Sequence, residues 1–236
     1  MVLSEKRREA RRIADTLAAR IASGELRTGN RLPTQAELAA QFSVNRHAIR
    51  RAIELLEQRG LARGRQGSGV YVTGPLIDYY VKSRTRYNDN VRALARDSRM
   101  ELIDLQERRA SPELARDLAM KRGGRVFDLH ILRWTGHDPL CVARHLFSAD
   151  RYPQLPERFV EASGITDLIG RLGVEDFRRS DTAISARQPT AAEARMLHIP
   201  HDSPVVVLEG RNVDLHGVPV EISTSVWPAT RIKVHV

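Results

Sequence analysis

The forty residues from Pro33 to Val72, PTQAELAAQFSVNRHAIRRAIELLEQRGLARGRQGSGVYV, admit few folds, because they set helix, turn, helix and glycine-turned hairpin in immediate succession. Thr34 and Glu37 have capping-box spacing, so a helix is expected to start at Thr34 and to bury Leu38, Ala39 and Phe42. After a turn at Ser43 and Val44, a second helix places Ala48, Ile49, Ala52, Leu55 and Leu56 on one apolar stripe. Arg46, His47, Arg50, Arg51 and Glu54 fall on the opposite face, which is therefore basic where the helix begins. Asn45 is either the cap of that helix or a contact to a ligand beyond it. Gly60 suits the positive φ wanted just past a helix end. Beyond it, Leu61 to Arg63 and Val70 to Val72 are expected strands, with Arg65, Gln66 and Gly67 near the tip between them. The pattern is that of a winged helix-turn-helix, whose second helix enters the major groove of DNA. A single amphipathic helix with outward arginines would be merely solvated, but three ordered elements and a basic hairpin point to polyanion binding.

Charge supports that assignment. Residues 1–74 hold 14 Lys and Arg against 7 Asp and Glu, whereas the rest of the chain holds 24 against 22. Most of the formal +9 thus lies on less than a third of the 236 residues, as expected for a nucleic-acid-binding head on a nearly neutral partner domain. The basic run from Lys6 to Arg12 begins an amphipathic helix whose Ile13, Leu17 and Ile21 recur every four residues. That spacing favours packing against the helix-turn-helix over lying on a membrane, and no aromatic anchor accompanies it. No apolar run approaches the roughly 20 residues that span a bilayer, and no secretory h-region follows the charged start, so a cytoplasmic protein is expected. The single cysteine, Cys141, excludes an intrachain disulfide.

The composition changes at Gly74-Pro75, which gives three segments: a DNA-binding domain over 1–74, a linker over 75–84 and a second domain over 85–236. In the last, 86–97 reads as a helix and 100–109 as a strand, and a helix starting at Ser111-Pro112 runs to Gly123-Gly124. Val126 to Trp134 and Leu140 to Phe147 form an expected hairpin. A helix over 157–172, a strand over 177–187, a capping box at Thr190 and Glu193, and a closing hairpin from Pro204 to Trp227 complete an α+β domain on a mainly antiparallel sheet.

Through LPTQAEL, SVNRHAIRRAIELLEQRGL and GSGVYV the first domain resembles the GntR family of bacterial transcription regulators. The second resembles the UTRA sensing domain of its HutC branch, which has a chorismate-lyase-like fold. Within that branch VNRHAIRRAI, RQGSGVYV, RTRYNDN, LCVARHLF and RRSDTAISAR are similar to regulators of phosphonate metabolism. The resemblance implies a homodimeric repressor that binds a pseudo-palindromic operator and releases it when a small anionic effector, a phosphonate or phosphate-like compound, occupies the second domain. It implies DNA contacts at Thr34, Asn45, Arg46, His47, Arg50 and Arg51 and, on the wing, at Arg65, Gln66 and Gly67. His47 either reads a base or spaces the arginines. Ala36 departs from members with an Arg at that position.

A tetrahedral oxyanion needs converging donors, and Arg offers a planar fork for two of its oxygens. RTRYNDN supplies Arg84, Thr85, Arg86 and Asn90 at a helix start. The resemblance adds Arg133, Arg187, Glu221, Ser223 and Ser225, with Glu221 placed to pair with the ammonium of an amino-substituted phosphonate. Ile131 stands where sugar-phosphate sensors commonly carry a second Arg, and the ending WPATRIKV also differs from theirs. A repressor of the same branch sensing a sugar phosphate or a histidine-pathway metabolite is the alternative; an architectural DNA-binding protein or an enzyme fits less well. Fold alone does not carry chemistry. The eight histidines show no HExxH spacing, His198 and His201 read as loop residues rather than metal ligands, and no Gly-rich phosphate loop precedes a helix, so no cofactor is expected.

Overall fold

A computed structural model describes residues 2–65, 67–73, 76–84, 86–91, 98–136 and 138–236; for 2–6, 65 and 88 it describes the backbone alone. The chain forms two compact units, Met1–Leu76 with His198–Pro200, and Ile77–Leu197 with His201–Val236.

The first unit contains α1 (Val2–Ala22), α2 (Gln35–Phe42), α3 (Arg46–Gln58), β1 (Ala62–Arg65) and β2 (Gly69–Val72). The four-residue repeat of α1 closes the core: Ile13, Leu17 and Ile21 are buried against Leu38, Ile49, Ala52, Ile53 and Leu56. Each large aliphatic side chain so removed from water contributes about 1.5–3 kcal/mol. Ile53 takes the place expected of Leu55, which is only half-buried, because the stripe winds slightly around α3. The box at the start of α2 is complete: Thr34 Oγ1 accepts the Glu37 N–H at 3.2 Å and Glu37 Oε2 accepts the Thr34 N–H at 2.7 Å. These bonds to Thr34, backbone then side chain, hold the Glu37 carboxyl below its ordinary range. Ser43, with φ 54°, turns the chain, and Asn45 caps α3 by accepting the Ala48 N–H at 2.9 Å. The β1–β2 hairpin is antiparallel, and backbone bonds from Gly29, Asn30 and Leu32 to β2 add a third edge.

The second unit holds β3 (Ile77–Tyr80), α4 (Tyr87–Val91), β4 (Ser98–Arg109), α5 (Pro112–Asp117), β5 (Arg125–Thr135), β6 (Asp138–Ser148), α6 (Leu155–Glu161), α7 (Ile165–Arg171), β7 (Phe177–Arg187), α8 (Ala191–Met196), β8 (Val205–Asp214), β9 (Pro219–Pro228) and β10 (Ile232–His235). Six strands make one antiparallel sheet in the order β4-β5-β6-β9-β8-β7: two three-stranded meanders joined through their last strands. Alternation sends Phe127, Leu129, Ile131, Ala143 and Phe147 to one face, where Leu155 and Phe159 of α6 and Ile165, Leu168 and Ile169 of α7 cover them.

Several elements differ from expectation. The helix over 157–172 is two helices, broken where Ala162 and Gly164 run extended and the Ser163 N–H is taken by Asp167. The helix from Pro112 stops at Asp117 instead of reaching the glycines, since Ala119 with φ 52° turns the chain. Of the helix expected over 86–97 the structure shows Tyr87–Val91, and 92–97 lie outside the described residues. Inside the span read as a linker, Ile77–Tyr80 pairs in parallel with Ile232–His235.

On the other face of β5, Asp128 accepts from Arg108 Nε at 2.6 Å and from Arg144 Nε at 2.7 Å. Burial pushes this carboxyl up, but the bonds from Arg144 and Arg108 and their charges outweigh it and hold the pKa at about 2. A depressed carboxylate stabilises fully above its unfolded pKa, about 3.9, and loses that contribution as pH falls through the folded value. Urea midpoints of the unaltered protein should therefore fall between about pH 4 and pH 2, and the Asp128→Asn protein, less stable at neutral pH, should lack that component.

Candidate functional site

The capped start of α3 presents Arg46, His47, Arg50 and Arg51 to solvent, all exposed, beside a groove that Glu9 of α1 also lines. Asn45 fixes this end by capping it, and its side-chain oxygen is used in doing so. Thr34 stands at the start of α2 with its hydroxyl engaged by Glu37. Arg50 lies 3.6 Å from Glu54, an exposed pair of the kind worth about 0–1 kcal/mol, which a phosphate can displace. Arg65 ends β1, Gly67 turns with φ 73°, and Gln66 lies outside the described residues. Sequence reading passed over Arg31, which bridges to Tyr71 and runs beside the hairpin. A Cβ built on Gly69, itself at φ 110°, would sit 2.5 Å from Arg31 Nε, so glycine there lets the arginine lie against the wing.

The second unit carries a cavity of about 80 Å³ over the sheet face that α7 and α4 cover. Strand alternation builds it. The row Phe127, Leu129, Ile131 continues to Arg133; Cys141, Ala143 and His145 follow on β6, and Glu221, Ser223 and Ser225 on β9. Gly210 of β8 pairs with Ser223 and, having no side chain, leaves the floor open. Arg133 is 6% exposed, its guanidinium lies 3.9 Å from the centroid of Tyr87, and no carboxylate among the described residues pairs with it. Glu221, 3% exposed, accepts from His145 Nδ1 at 2.9 Å and from Asn212 Nδ2. His145 and Thr182 both belong to the lining, and His145 Nε2 and Thr182 Oγ1 are buried without a hydrogen-bond partner among the described residues. Burial pushes the Cys141 thiol up to about 12, which leaves it neutral and unreactive.

Of the effector residues expected from sequence, Arg86, Arg133, Glu221, Ser223 and Ser225 come together in this lining. Arg86 donates to Asp176 and to the Phe177 carbonyl and stacks 3.5 Å from the Phe177 ring centroid; burial lowers its pKa, opposed by Asp176. Arg84 is mostly exposed and pairs with Asp176 at 3.0 Å. Asn90 does not line the cavity: its amide bonds the backbone of Tyr80 in both directions, tying α4 to β3. Arg187 grips Glu193 through two bonds of 2.6 and 2.7 Å at the start of α8, away from the lining. Thr85 lies outside the described residues. At the helix start expected to favour an anion, Asp89 already accepts the Arg86 N–H at 2.8 Å. His145, Asn212 and Thr182 were not foreseen; the inward alternation LCVARHLF was the available signal.

A winged helix-turn-helix with a bare basic recognition helix, joined on one chain to a sheet unit around a polar cavity, defines a DNA-binding transcription regulator. Residues 9–72 match the model of the bacterial regulatory proteins of the gntR family, and residues 93–233 that of the UTRA domain. RB1450 of Rhizobium meliloti (strain 1021), named as an HTH-type transcriptional regulator, is 30% identical over 227 residues, 96% of this chain and 93% of its own. Escherichia coli (strain K12) has a relative, "Probable transcriptional regulator PhnF", 35% identical over 209 residues, 88% of this chain and 86% of its own. The crystal structure of PhnF from Mycobacterium smegmatis shares the fold, with a TM-score of 0.65, 24% identity, and 94% of this chain and 97% of that one covered. The chain belongs to the GntR family of bacterial transcription regulators, in the branch that carries a UTRA domain.

Proposed function

We propose that the protein is a homodimeric repressor that releases its operator when a small phosphonate or phosphate-like anion enters the cavity of the second unit. The observation that carries this reading is Arg133, a buried guanidinium that faces the cavity with no carboxylate partner among the described residues. A buried cation without a counterion is costly, and a bound oxyanion removes that cost. On the same volume measure one water needs roughly 10–15 Å³, so the cavity takes on the order of six water-sized groups, the size of a small phosphonate rather than a hexose phosphate. The phosphonate branch is further supported by the segments RTRYNDN and RRSDTAISAR, which contribute Arg86, Tyr87, Arg179 and Thr182 to the lining. On the DNA side, Arg46 and Arg50 are the groups for guanine O6 and N7, with Arg51, Arg65 and Arg31 holding phosphates. In a dimer, disengaging one of two half-sites removes most of the avidity, so a modest effector-induced change suffices for release.

The test is thermal unfolding with methylphosphonate, 2-aminoethylphosphonate, phosphate, sulfate, glucosamine 6-phosphate and urocanate, followed by operator binding with the same compounds. A ligand at 100 times its Kd adds about 2.7 kcal/mol, a readily measured shift. A phosphonate or phosphate should stabilise the protein and weaken operator binding. A response confined to glucosamine 6-phosphate or urocanate would reject the phosphonate branch and keep the regulator.

A further inference from the structure

The arrangement around Glu221 gives that carboxylate a different task from meeting a ligand's ammonium group. Both of its oxygens are already used, one by Asn212 Nδ2 and the other by His145 Nδ1 at 2.9 Å. An ionised carboxylate can only accept, so His145 carries its hydrogen on Nδ1. In the neutral ring this leaves a lone pair on Nε2, the buried atom of this cavity-lining residue that has no hydrogen-bond partner among the described residues. A lone pair repels an incoming oxyanion; an N–H at the same place would bind it, with Glu221 behind the ring to balance the charge.

We propose that His145 is the second anion contact of the cavity: Nε2 takes up a proton as a tetrahedral oxyanion binds, and Glu221 positions the imidazole instead of pairing with a cationic group on the ligand. This rests on the reading of the cavity as an oxyanion site. The proton comes from solvent and adds to Nε2, and no covalent bond to the ligand forms. The charged groups that line the cavity with the ring are Glu221 from β9, Arg133 from β5, Arg179 from β7 and Arg86 just before α4, and of these Glu221 touches it. Burial pushes the Tyr87 and Tyr152 hydroxyls and the Cys141 thiol upward, so these neighbours stay neutral while a histidine titrates. An oxyanion arriving among these arginines is held better by an N–H at Nε2 than by a lone pair. Proton uptake is thus coupled to occupancy.

Sulfate is the probe of choice, because it keeps one charge throughout the range in which histidine titrates and has no hydrogen to donate to Nε2. Calorimetric titration of the intact protein with sulfate, from about pH 6 to about pH 8, should show affinity falling by up to about tenfold per pH unit. His145→Asn should bind sulfate more weakly and without that slope, and Glu221→Gln should weaken sulfate, methylphosphonate and 2-aminoethylphosphonate alike. Binding by the unaltered protein that is flat in pH would overturn the proposal. So would a Glu221→Gln protein that loses only 2-aminoethylphosphonate, since the carboxylate would then be meeting the ammonium. Should either variant fail to fold, the pH slope of the unaltered protein decides. Arg133→Ala separates the two readings: if it leaves sulfate binding intact, the cavity is not an oxyanion site, whatever His145 does.

Discussion

Arg46→Ala is expected to lose specific operator binding while effector-induced thermal stabilisation stays intact, and Arg133→Ala is expected to do the reverse. Arg46 is exposed at the first turn of α3, where no described carboxylate competes for it. A bidentate contact to guanine is worth about 1–3 kcal/mol, and the proposed dimer would lose it at both half-sites. Arg133 belongs to a different unit with its own core, so its removal should leave operator affinity unchanged and abolish release by the effector. Arg133→Lys should restore the response only in part, because an ammonium offers neither the planar fork nor the same stacking on Tyr87. Anisotropy titrations of labelled operator, with and without effector, separate the two variants. If both lose DNA binding equally, the assignment of roles is wrong.

The largest loss of stability is expected from Trp227→Ala, about 3–5 kcal/mol. Trp227 is 0% exposed, packs edge-on to Tyr79 with ring centroids 5.4 Å apart, lies 6.0 Å from Tyr87, and donates Nε1–H to Ser225 at 3.0 Å. Its neighbours are parts of the cavity wall, and Tyr87 in turn supports Arg133. The same substitution should therefore weaken effector binding although the indole itself does not line the cavity. Urea denaturation followed by circular dichroism measures the loss, with Trp134, the other tryptophan, as a fluorescence reporter. A cost below about 1 kcal/mol would show that the site relaxes around the missing ring.

Local signals were readable from the chain and non-local ones were not. The capping boxes at Thr34 and Thr190, the cap at Asn45 and the hairpin around Gly136 depend on residues a few positions apart, and all are present. The break between α6 and α7 was missed because apolar spacing continues across it, while Ser163 and Gly164 interrupt the backbone ladder. The pairing of β3 with β10 joins segments some 150 residues apart, and four-residue strands carry almost no periodicity. At the cavity, residue chemistry was legible but direction was not. Arg133 and Arg187 look alike in sequence, yet one faces the cavity and the other is spent on Glu193. Glu221 is expected from the sequence to meet a ligand's ammonium group, and its bonds to His145 and Asn212 appear only once β6, β8 and β9 are laid side by side.

The parallel ladder between Ile77–Tyr80 and Ile232–His235 also sets an order of events on the ribosome. The core of the first unit draws on Ile13 through Val72, so that core can form early in synthesis. β3 is made directly afterwards, but its backbone groups wait for residues 232–235 before they find their ladder, and the closing of so long a loop slows that step. A nascent chain would thus complete the core of its DNA-binding head before its sensor could answer a ligand.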